Sequence, residues 1–231
     1  MNTTPAHVPP AISIAPLNPS KMRRSPLAWL VVLVLAGLLG WYISANAGTW
    51  KDRFVPRKFR VVEPGQIYAS GQIDRHLIRQ VLRDHQIKEI ICMLNDDASD
   101  PDVAEELKVS ADLGIPRHNY PLSGDGTGDI HRYADAVTEL VAAQKANLPT
   151  LIHCSSGAQR SNGATFYYRV FVQHHDADEA AAEMVRNGHR PHDNPMLIPY
   201  LNSHMAEMAS LLQQRGVIDH IPAPLPRIQN D

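Results

Sequence analysis

One short segment of the chain carries side chains whose types and spacing suit chemistry on an anion. Its sequence is His-Cys-Ser-Ser-Gly-Ala-Gln-Arg-Ser, from His153 to Ser161. An apolar run at 148–152 predicts a buried strand before it, and 162–174 predicts a helix after it. A loop between a strand and a helix N-terminus directs backbone N–H groups into one concavity, where a phosphate dianion can bind. The same field lowers the pKa of a cysteine in the loop, so we expect Cys154 to be a thiolate nucleophile near neutral pH.

The residues that follow the cysteine complete this phosphate-binding loop. Arg160 lies six positions after Cys154, and its planar guanidinium can bind two phosphate oxygens at once. Ser161 adds a hydroxyl that can donate to the thiolate and help it leave in a second step. Gln159 either directs the attacking water or is an ordinary solvated residue. The residues predicted to bind phosphate are Ser155, Ser156, Gly157, Ala158, Gln159 and Arg160.

This Cys-x5-Arg-Ser pattern, with His153 before the cysteine, resembles the signature of the cysteine-based dual-specificity and tyrosine phosphatases. The segment 59–212 resembles bacterial members of that family, and Gly65–Gln72 is similar to their opening strand and turn. The resemblance implies a cysteine-dependent protein phosphatase that hydrolyses phosphate monoesters through a phosphocysteine intermediate. It implies no metal and no other cofactor, because the helix terminus and Arg160 supply the positive charge.

Attack by a thiolate on a phosphate monoester expels a poor leaving group, so a second residue must act first as general acid and then as base. The family carries this acid as an aspartate on a mobile loop upstream of the cysteine. The matching segment here is the glycine-rich loop 121–129. The resemblance favours Asp125, in the middle of the loop, whereas Asp129 directly precedes a predicted helix and is better explained as its cap. The loop lacks the family's aromatic-proline-aspartate form.

Two further residues, His153 and Cys92, each have two possible interpretations. We expect His153 to tune the thiolate through hydrogen bonding without acting as a base, although it could simply fill space beside the strand. Cys92 lies in the apolar run 89–94, which predicts a buried strand and an inert core cysteine. The alternative for Cys92 is a protective disulfide with Cys154 on oxidation, as in some relatives.

The N-terminal part of the chain predicts a membrane anchor. Residues 1–20 are rich in Pro, Thr and Asn, and we expect a disordered segment over 1–26. No charged residue occurs between Arg24 and Lys51, and 27–47 is long and apolar enough to cross a bilayer of about 30 Å as one transmembrane helix or uncleaved signal anchor. The alternative is cleavage by signal peptidase after 45–47. The flanking charges favour a cytoplasmic catalytic domain in a single-pass membrane protein, but long domains can cross regardless, so the side stays open.

The pattern of the remaining chain predicts the fold. Alternating strand and helix signals over 48–215 predict a three-layer α/β phosphatase-type domain, with a central, mostly parallel sheet flanked by helices and a tail at 216–231. Predicted strands lie at 59–62, 67–69, 89–94, 116–120 and 148–153. Predicted helices lie at 74–82, 101–113, 130–146, 162–174, 177–187 and 195–214. Ligands bind such sheets beyond the carboxyl ends of the strands, where the Cys154 loop falls.

Composition narrows the remaining functions. The net charge is −2 over 231 residues, which gives no reason to expect nucleic acid as a partner. Two cysteines exclude a disulfide scaffold, and the scattered histidines predict no metal site. We expect a phosphorylated protein or a small phosphate ester as substrate, and the membrane as the second partner. The alternatives are a membrane-tethered, phosphate-binding pseudophosphatase and a phosphoinositide or small-molecule phosphatase. The lack of lysine in the loop weighs against highly charged lipid headgroups, and a rhodanese-like sulfur transferase fits less well.

Overall fold

A computed structural model describes residues 26–229, without the side chains of 26, 28 and 46–50. Almost all of the segment predicted to be disordered, and part of the alternative cleavage site at 45–47, lie outside this description. The chain divides into two compact units, with the boundary between Ala47 and Gly48.

The first helix, α1, runs from Pro26 to Asp52. The side chains described in it between Trp29 and Tyr42 are exposed. Among the residues that the structure describes, no helix combines the length and apolar content that crossing a bilayer requires. Membrane attachment through 27–47 therefore stays a prediction of the sequence.

The second unit is built around a sheet of five strands. The strands are β1 (Arg60–Glu63), β2 (Ile67–Ser70), β3 (Glu89–Cys92), β4 (Arg117–Asn119) and β5 (Thr150–His153). Their spatial order is β1-β2-β5-β3-β4, with β1 antiparallel to β2 and the other neighbouring pairs parallel. The prediction of a mostly parallel sheet is confirmed, and β5, which precedes the Cys154 loop, is the central strand.

Helices cover both faces of this sheet. They are α2 (Ile78–Asp84), α3 (Pro101–Leu113), α4 (Ile130–Lys145), α5 (Arg160–Tyr167), α6 (Ala177–Arg186), α7 (Leu197–Ser203) and α8 (Met205–Gln214). Because successive side chains of a strand point to opposite faces, one strand serves two cores. Ile90 and Leu151 join the smaller core with α2 and α3. Ile91 and Ile152 join the larger core, to which α4 to α8 contribute.

Local sequence signals fix α3 closely. Asp100 has extended backbone angles, and its carboxylate accepts the N–H groups of Asp102 and Val103, as an N-cap does. Pro101 occupies the first turn, where its missing N–H costs nothing. Gly114 ends the helix in the left-handed conformation. The predicted helix 101–113 is confirmed.

Three other helices differ from their predictions. The helix predicted at 162–174 begins earlier, at Arg160, and continues after α5 as a π-helix over Tyr168–Val172. Asp74 was expected to cap a helix, but its carboxylate accepts the N–H of His76 in a turn, and α2 begins later, at Ile78. The helix predicted at 195–214 is interrupted at His204, whose φ of −102° and ψ of 7° separate α7 from α8. A periodic apolar pattern is compatible with one continuous helix or two short ones, so it does not locate such a break.

The C-terminal segment after α8 packs on the domain. Ile228 is buried, and its backbone N–H donates to Asn202 Oδ1 at 2.9 Å. The next residue, Gln229, donates its N–H to Asp178 Oδ1 at 2.7 Å. The tail predicted at 216–231 is therefore tied to α6 and α7 over its last described residues.

Candidate active site

The Cys154 loop connects β5 to α5 and lies against the end of β2. The N–H of Gln72 donates to Ser155 O at 2.9 Å, and the N–H of Cys154 to Ser70 O at 3.4 Å. Gly157 has φ +72°, and a Cβ there would lie 2.6 Å from Gly71 N. Only glycine combines this left-handed backbone with such a close approach. The turn after β2, part of the Gly65–Gln72 segment, therefore forms one wall of the loop.

Cys154 occupies the base of the loop with its thiol buried. Its Sγ accepts the N–H of Gly157 at 3.3 Å and lies 3.4 Å from Ser161 Oγ. Burial raises the pKa of the Cys154 thiol, but the Ser161 hydroxyl and N–H, the Arg160 charge and the Gly157 N–H together lower it below its usual value. The geometry thus places the predicted nucleophile, arginine and serine together and favours the thiolate.

Arg160 is buried at the first residue of α5. Its Nη1 donates to Met93 O and to Leu122 O, both at 3.3 Å. Its Nε is also buried and has no hydrogen-bond partner among the described residues. The carbonyl groups after β3 and β4 therefore orient the guanidinium, and donor capacity remains for an anion.

Asp125 lies in the loop that precedes α4. Its Oδ1 accepts the backbone N–H and the hydroxyl of Thr127, at 3.0 and 2.9 Å. The Thr127 N–H lowers the pKa of the Asp125 carboxyl most; burial opposes this, and the Thr127 hydroxyl, the residue's own N–H and the Arg160 charge add to the lowering. In this conformation Asp125 is therefore a carboxylate near neutral pH.

The glycine after Asp125 brings the loop against the Cys154 segment. A Cβ on Gly126, at φ +89°, would lie 3.4 Å from Gln159 Cβ and 2.8 Å from Leu197 Cδ1. Asp129 instead caps α4, accepting the N–H of His131 at 2.9 Å. The structure thus brings the Asp125 loop next to the Cys154 loop and makes Asp129 the N-cap of α4.

The His153 ring contacts α3 and not Cys154, which differs from the prediction. Its Nε2 is 3.1 Å from Glu106 Oε1 on α3, and both side chains are fully buried. Glu106 also accepts Arg117 Nε at 2.8 Å. Burial alone would lower the pKa of His153, but Glu106 and Cys92 raise it well above its usual value, so the ring is an imidazolium paired with a carboxylate. The predicted tuning hydrogen bond to Cys154 is replaced by this bond to α3, because adjacent strand residues face opposite sides of the sheet.

The same alternation separates the two cysteines. Cys92 is paired in register with His153, so their side chains share the α3 face, whereas Cys154 belongs to the core on the other face. Both thiols are free. A disulfide between them would require the ends of β3 and β5 to rearrange, so the structure favours the core interpretation of Cys92.

Arg60 is a component of the site that the sequence did not identify. Its Nη1 donates to Gly157 O at 3.1 Å and its Nη2 to Asn162 Oδ1 at 2.6 Å, so it binds the loop and α5 from β1. Burial lowers the pKa of Arg60 to about 10, although the nearby Cys154 opposes this. No local signal marks Arg60, because its partners lie 97 and 102 positions away in the sequence.

A small, basic hollow lies beside Arg60, which contacts the Cys154 loop. It has a volume of about 250 Å³ and is lined by Lys58, Phe59, Arg60, Arg186, Asn187 and Gly188. A larger, mainly apolar hollow of about 940 Å³ lies between α6 and α7, and none of its lining residues belongs to the Cys154 loop. The chemistry is therefore assigned to the loop and its basic surroundings, and not to this larger hollow.

The chain is similar to several known proteins. The model of the family described as cyclin-dependent kinase inhibitor 3 (CDKN3) matches residues 73–178, which include Asp125, Cys154 and Arg160. The dual specificity protein phosphatase TpbA of Pseudomonas aeruginosa is 27% identical over 184 residues, covering 75% of this chain and 79% of TpbA. The crystal structure of TpbA has a TM-score of 0.55 at 20% identity, covering 69% of this chain and 91% of that one. The core catalytic domain of the PP-IP phosphatase SIW14 from S. cerevisiae has a TM-score of 0.55 at 20% identity, covering 74% and 97%.

A free thiol in a backbone cradle, between a central parallel strand and a helix that begins with arginine, is the site of a cysteine-based phosphatase. Together with these matches, it identifies the enzyme class. In sequence and in fold the chain is similar to the dual-specificity and tyrosine phosphatases.

Proposed function

We propose that this enzyme hydrolyses phosphate monoesters in two steps through a phosphocysteine. The observation that carries the proposal is the arrangement at Cys154 Sγ, with the Gly157 N–H at 3.3 Å, Ser161 Oγ at 3.4 Å and Arg160 close enough to lower its pKa. The thiolate attacks phosphorus, so that the S–P bond forms while the bond to the leaving oxygen breaks. The loop N–H groups and Arg160 bind the three non-bridging oxygens. Positioning and stabilisation of the charge on these oxygens provide most of the acceleration of phosphoryl transfer.

In the same proposal, Asp125 transfers the protons. It donates a proton to the leaving oxygen, and its carboxylate then takes one from the water whose oxygen attacks phosphorus. The S–P bond breaks, the Ser161 hydroxyl stabilises the departing thiolate, and inorganic phosphate is released. Asp125 must first be protonated, which its lowered pKa opposes in the free enzyme. A bound phosphate dianion acts in the other direction, because its negative charge raises the pKa of a neighbouring carboxyl and offsets Arg160.

A phosphorylated protein or a small phosphate ester is proposed as the substrate. TpbA is named a dual specificity protein phosphatase, and one of its crystal structures contains pTyr. SIW14 is named a PP-IP phosphatase, and its structure contains citrate. These names support phosphate esters as a class and favour phosphotyrosine as the first ligand to test.

Attachment to a membrane through 27–47 is a separate part of the proposal. Its support is the absence of charged residues between Arg24 and Lys51. We expect the full chain to stay with membranes after alkaline carbonate extraction, and a variant lacking 27–47 to be released. Release of the full chain would contradict the anchor without affecting the proposed chemistry.

The chemistry is tested with the purified full chain and an aryl phosphate. We expect Cys154→Ser to reduce turnover to background while still binding phosphate or vanadate, and Cys92→Ser, the matched control at the other buried cysteine, to remain active. A rapid acid quench should trap labelled phosphate on the active protein and none on Cys154→Ser. Turnover by Cys154→Ser, or active enzyme that never carries label, would refute the covalent mechanism.

A further inference from the structure

Three potential metal ligands lie together away from the Cys154 loop. They are Glu89, the first residue of β3, His118 in β4, and Glu139 in α4. His118 Nε2 lies 3.1 Å from Glu89 Oε1 and 3.6 Å from Glu139 Oε1. One ligand atom from each of the three residues lies within 4.8 Å of both others. Ligands about 2.0–2.1 Å from a tetrahedral zinc ion are themselves roughly 3.3 Å apart, so small shifts of these side chains would accommodate a metal ion.

The topology of the domain brings the three side chains to one place. His118 is paired in register with Ile91, and Glu89 is two residues before Ile91 on the same strand. All three side chains therefore share one sheet face, and α4 packs on that face and supplies Glu139. Each ligand comes from a different regular element, which holds a site more rigidly than loops do.

Two carboxyl groups and one imidazole meet at this cluster. Glu89 is only 4% exposed, and its Oε1 has no hydrogen-bond partner among the described residues. The nearby His118 ring does not satisfy it, because their 3.1 Å contact lacks hydrogen-bond geometry. This is expected of two ligand atoms aimed at a common point. Within the described part of the chain, the ion pairs of Glu89 and Glu139 involve His118 and no lysine or arginine.

A second cluster of potential metal ligands differs from this one because an arginine already pairs with it. Cys92, Glu106 and His153 also place one ligand atom each within 4.8 Å of one another. There, however, Glu106 already pairs with Arg117 at 2.8 Å and with His153 at 3.1 Å. A cation would have to displace a buried guanidinium. Among the described residues, no lysine or arginine forms an ion pair with Glu89, and His118 and Glu139 are 33% and 29% exposed, which gives an ion access.

We propose that Glu89, His118 and Glu139 bind a divalent transition-metal ion of the zinc class. One imidazole nitrogen and two carboxylate oxygens are ligands that suit Zn²⁺ and its neighbours better than Mg²⁺ or Ca²⁺. The ion ties β3, β4 and α4 together and supplies no chemistry to phosphoryl transfer, because Glu89 is at the opposite end of β3 from the Cys154 loop. Water or solvent ligands complete the coordination on the exposed side.

The test uses tag-free full chain carrying Cys154→Ser, so that the catalytic thiol cannot bind the metal. Titration with Zn²⁺ should give one tight equivalent and a rise in the melting temperature. His118→Asn and Glu139→Gln should each weaken this binding by at least about tenfold, since each removes a ligand. His131→Asn, at an exposed histidine of the same helix, is the matched control and should bind as before. Unchanged zinc affinity in both ligand variants would overturn the proposal.

Two further measurements keep the answer clear. Glu89→Gln should abolish zinc binding, since it removes the third ligand, while the metal-free chain stays folded; unchanged zinc affinity in this variant would contradict the site. If a ligand variant does not fold, the Co²⁺ absorption spectrum of the Cys154→Ser chain distinguishes the proposed ligands from Cys92. Ligand-field bands without a thiolate charge-transfer band support the proposed ligands, whereas a thiolate band would assign the ion to Cys92. Neither outcome depends on phosphatase activity.

Discussion

Replacing Arg60 with methionine should make Cys154 a weaker nucleophile, although Cys154 itself is unchanged. Arg60 binds Gly157 O at 3.1 Å, and the N–H of the same glycine donates to Cys154 Sγ at 3.3 Å. The guanidinium thus positions the loop that stabilises the thiolate and also contributes its own positive charge. Arg60→Met keeps the length and apolar volume of the side chain, so it removes mainly the charge and the hydrogen bonds.

The expected magnitudes follow from these contacts. Hydrogen bonds that involve a charged group are each worth about 1.5–3 kcal/mol. Part of that loss is offset, because methionine does not carry the burial penalty that lowers the pKa of Arg60 to about 10. We therefore expect a loss of about 1–3 kcal/mol in the free energy of unfolding. The Cys154 pKa should rise, because the variant removes a positive charge that interacts with the thiolate.

The rate of iodoacetamide alkylation of Cys154 against pH measures that pKa directly, and urea unfolding measures stability. Arg60→Lys should keep most of the effect of the positive charge on the Cys154 pKa but lose the paired hydrogen bonds to Gly157 and Asn162. Comparison of the two variants therefore separates the electrostatic contribution of Arg60 from its role in positioning the loop. Arg79→Met, at a half-buried arginine paired with Asp112, is the control and should leave the thiol pKa unchanged. Equal thiol pKa values in Arg60→Met and the unmodified enzyme would refute the reasoning.

Three further predictions concern the loops around the thiol. Asp125→Asn should lower kcat for alkyl phosphates by at least about a hundredfold and for a good aryl leaving group much less, because general-acid catalysis matters most for poor leaving groups; equal losses in steady-state assays would contradict its role as acid. Gly157→Ala should abolish activity and cost more unfolding free energy than Gly65→Ala, since both have φ near +72° but only Gly157 faces backbone at 2.6 Å; matching denaturation curves would contradict this. Glu106→Gln should cost about 3–5 kcal/mol at neutral pH by leaving buried His153 without its carboxylate. In the folded enzyme the pKa of Glu106 is lowered and that of His153 is raised. The stability that their pairing contributes is therefore lost as the pH falls through the Glu106 pKa or rises through the His153 pKa. Denaturation at several pH values should show the largest stability difference between the unmodified enzyme and Glu106→Gln at pH values between these two pKa values.

Much of the fold was accessible from the sequence because its determinants are local. Asp100, Pro101 and Gly114 fix α3 through interactions within a few residues. The Cys154–Ser161 spacing also carries its own geometry, because a strand, a tight loop and a helix are consecutive there. What could not be predicted depends on which face a side chain takes or on distant partners.

His153 and Arg60 illustrate these two limits. The sequence places His153 next to the nucleophile, but the period of a strand turns its ring to the opposite face, toward Glu106. Arg60 is one of several basic residues after the apolar segment, and only the β1–β2 pairing brings it under the loop. The cluster of Glu89, His118 and Glu139 was missed for the same reason, because its members come from three separate elements.

Arg160 links the two halves of the proposed reaction. In the free enzyme its charge contributes to lowering the pKa of Cys154 and, to a smaller extent than Thr127, that of Asp125, so it favours the thiolate of the proposed nucleophile and the carboxylate of the proposed acid. A phosphate dianion that binds Arg160 neutralises this charge at Asp125 and adds its own repulsion, so substrate binding should raise the Asp125 pKa. The acidic limb of kcat/KM, which reports the free enzyme, should then reflect the thiol and the substrate. The alkaline limb of kcat should reflect Asp125 in the complex and disappear in Asp125→Asn. If the alkaline limb persists in that variant, another group donates the proton, and Asp125 serves only to order its own loop through Thr127.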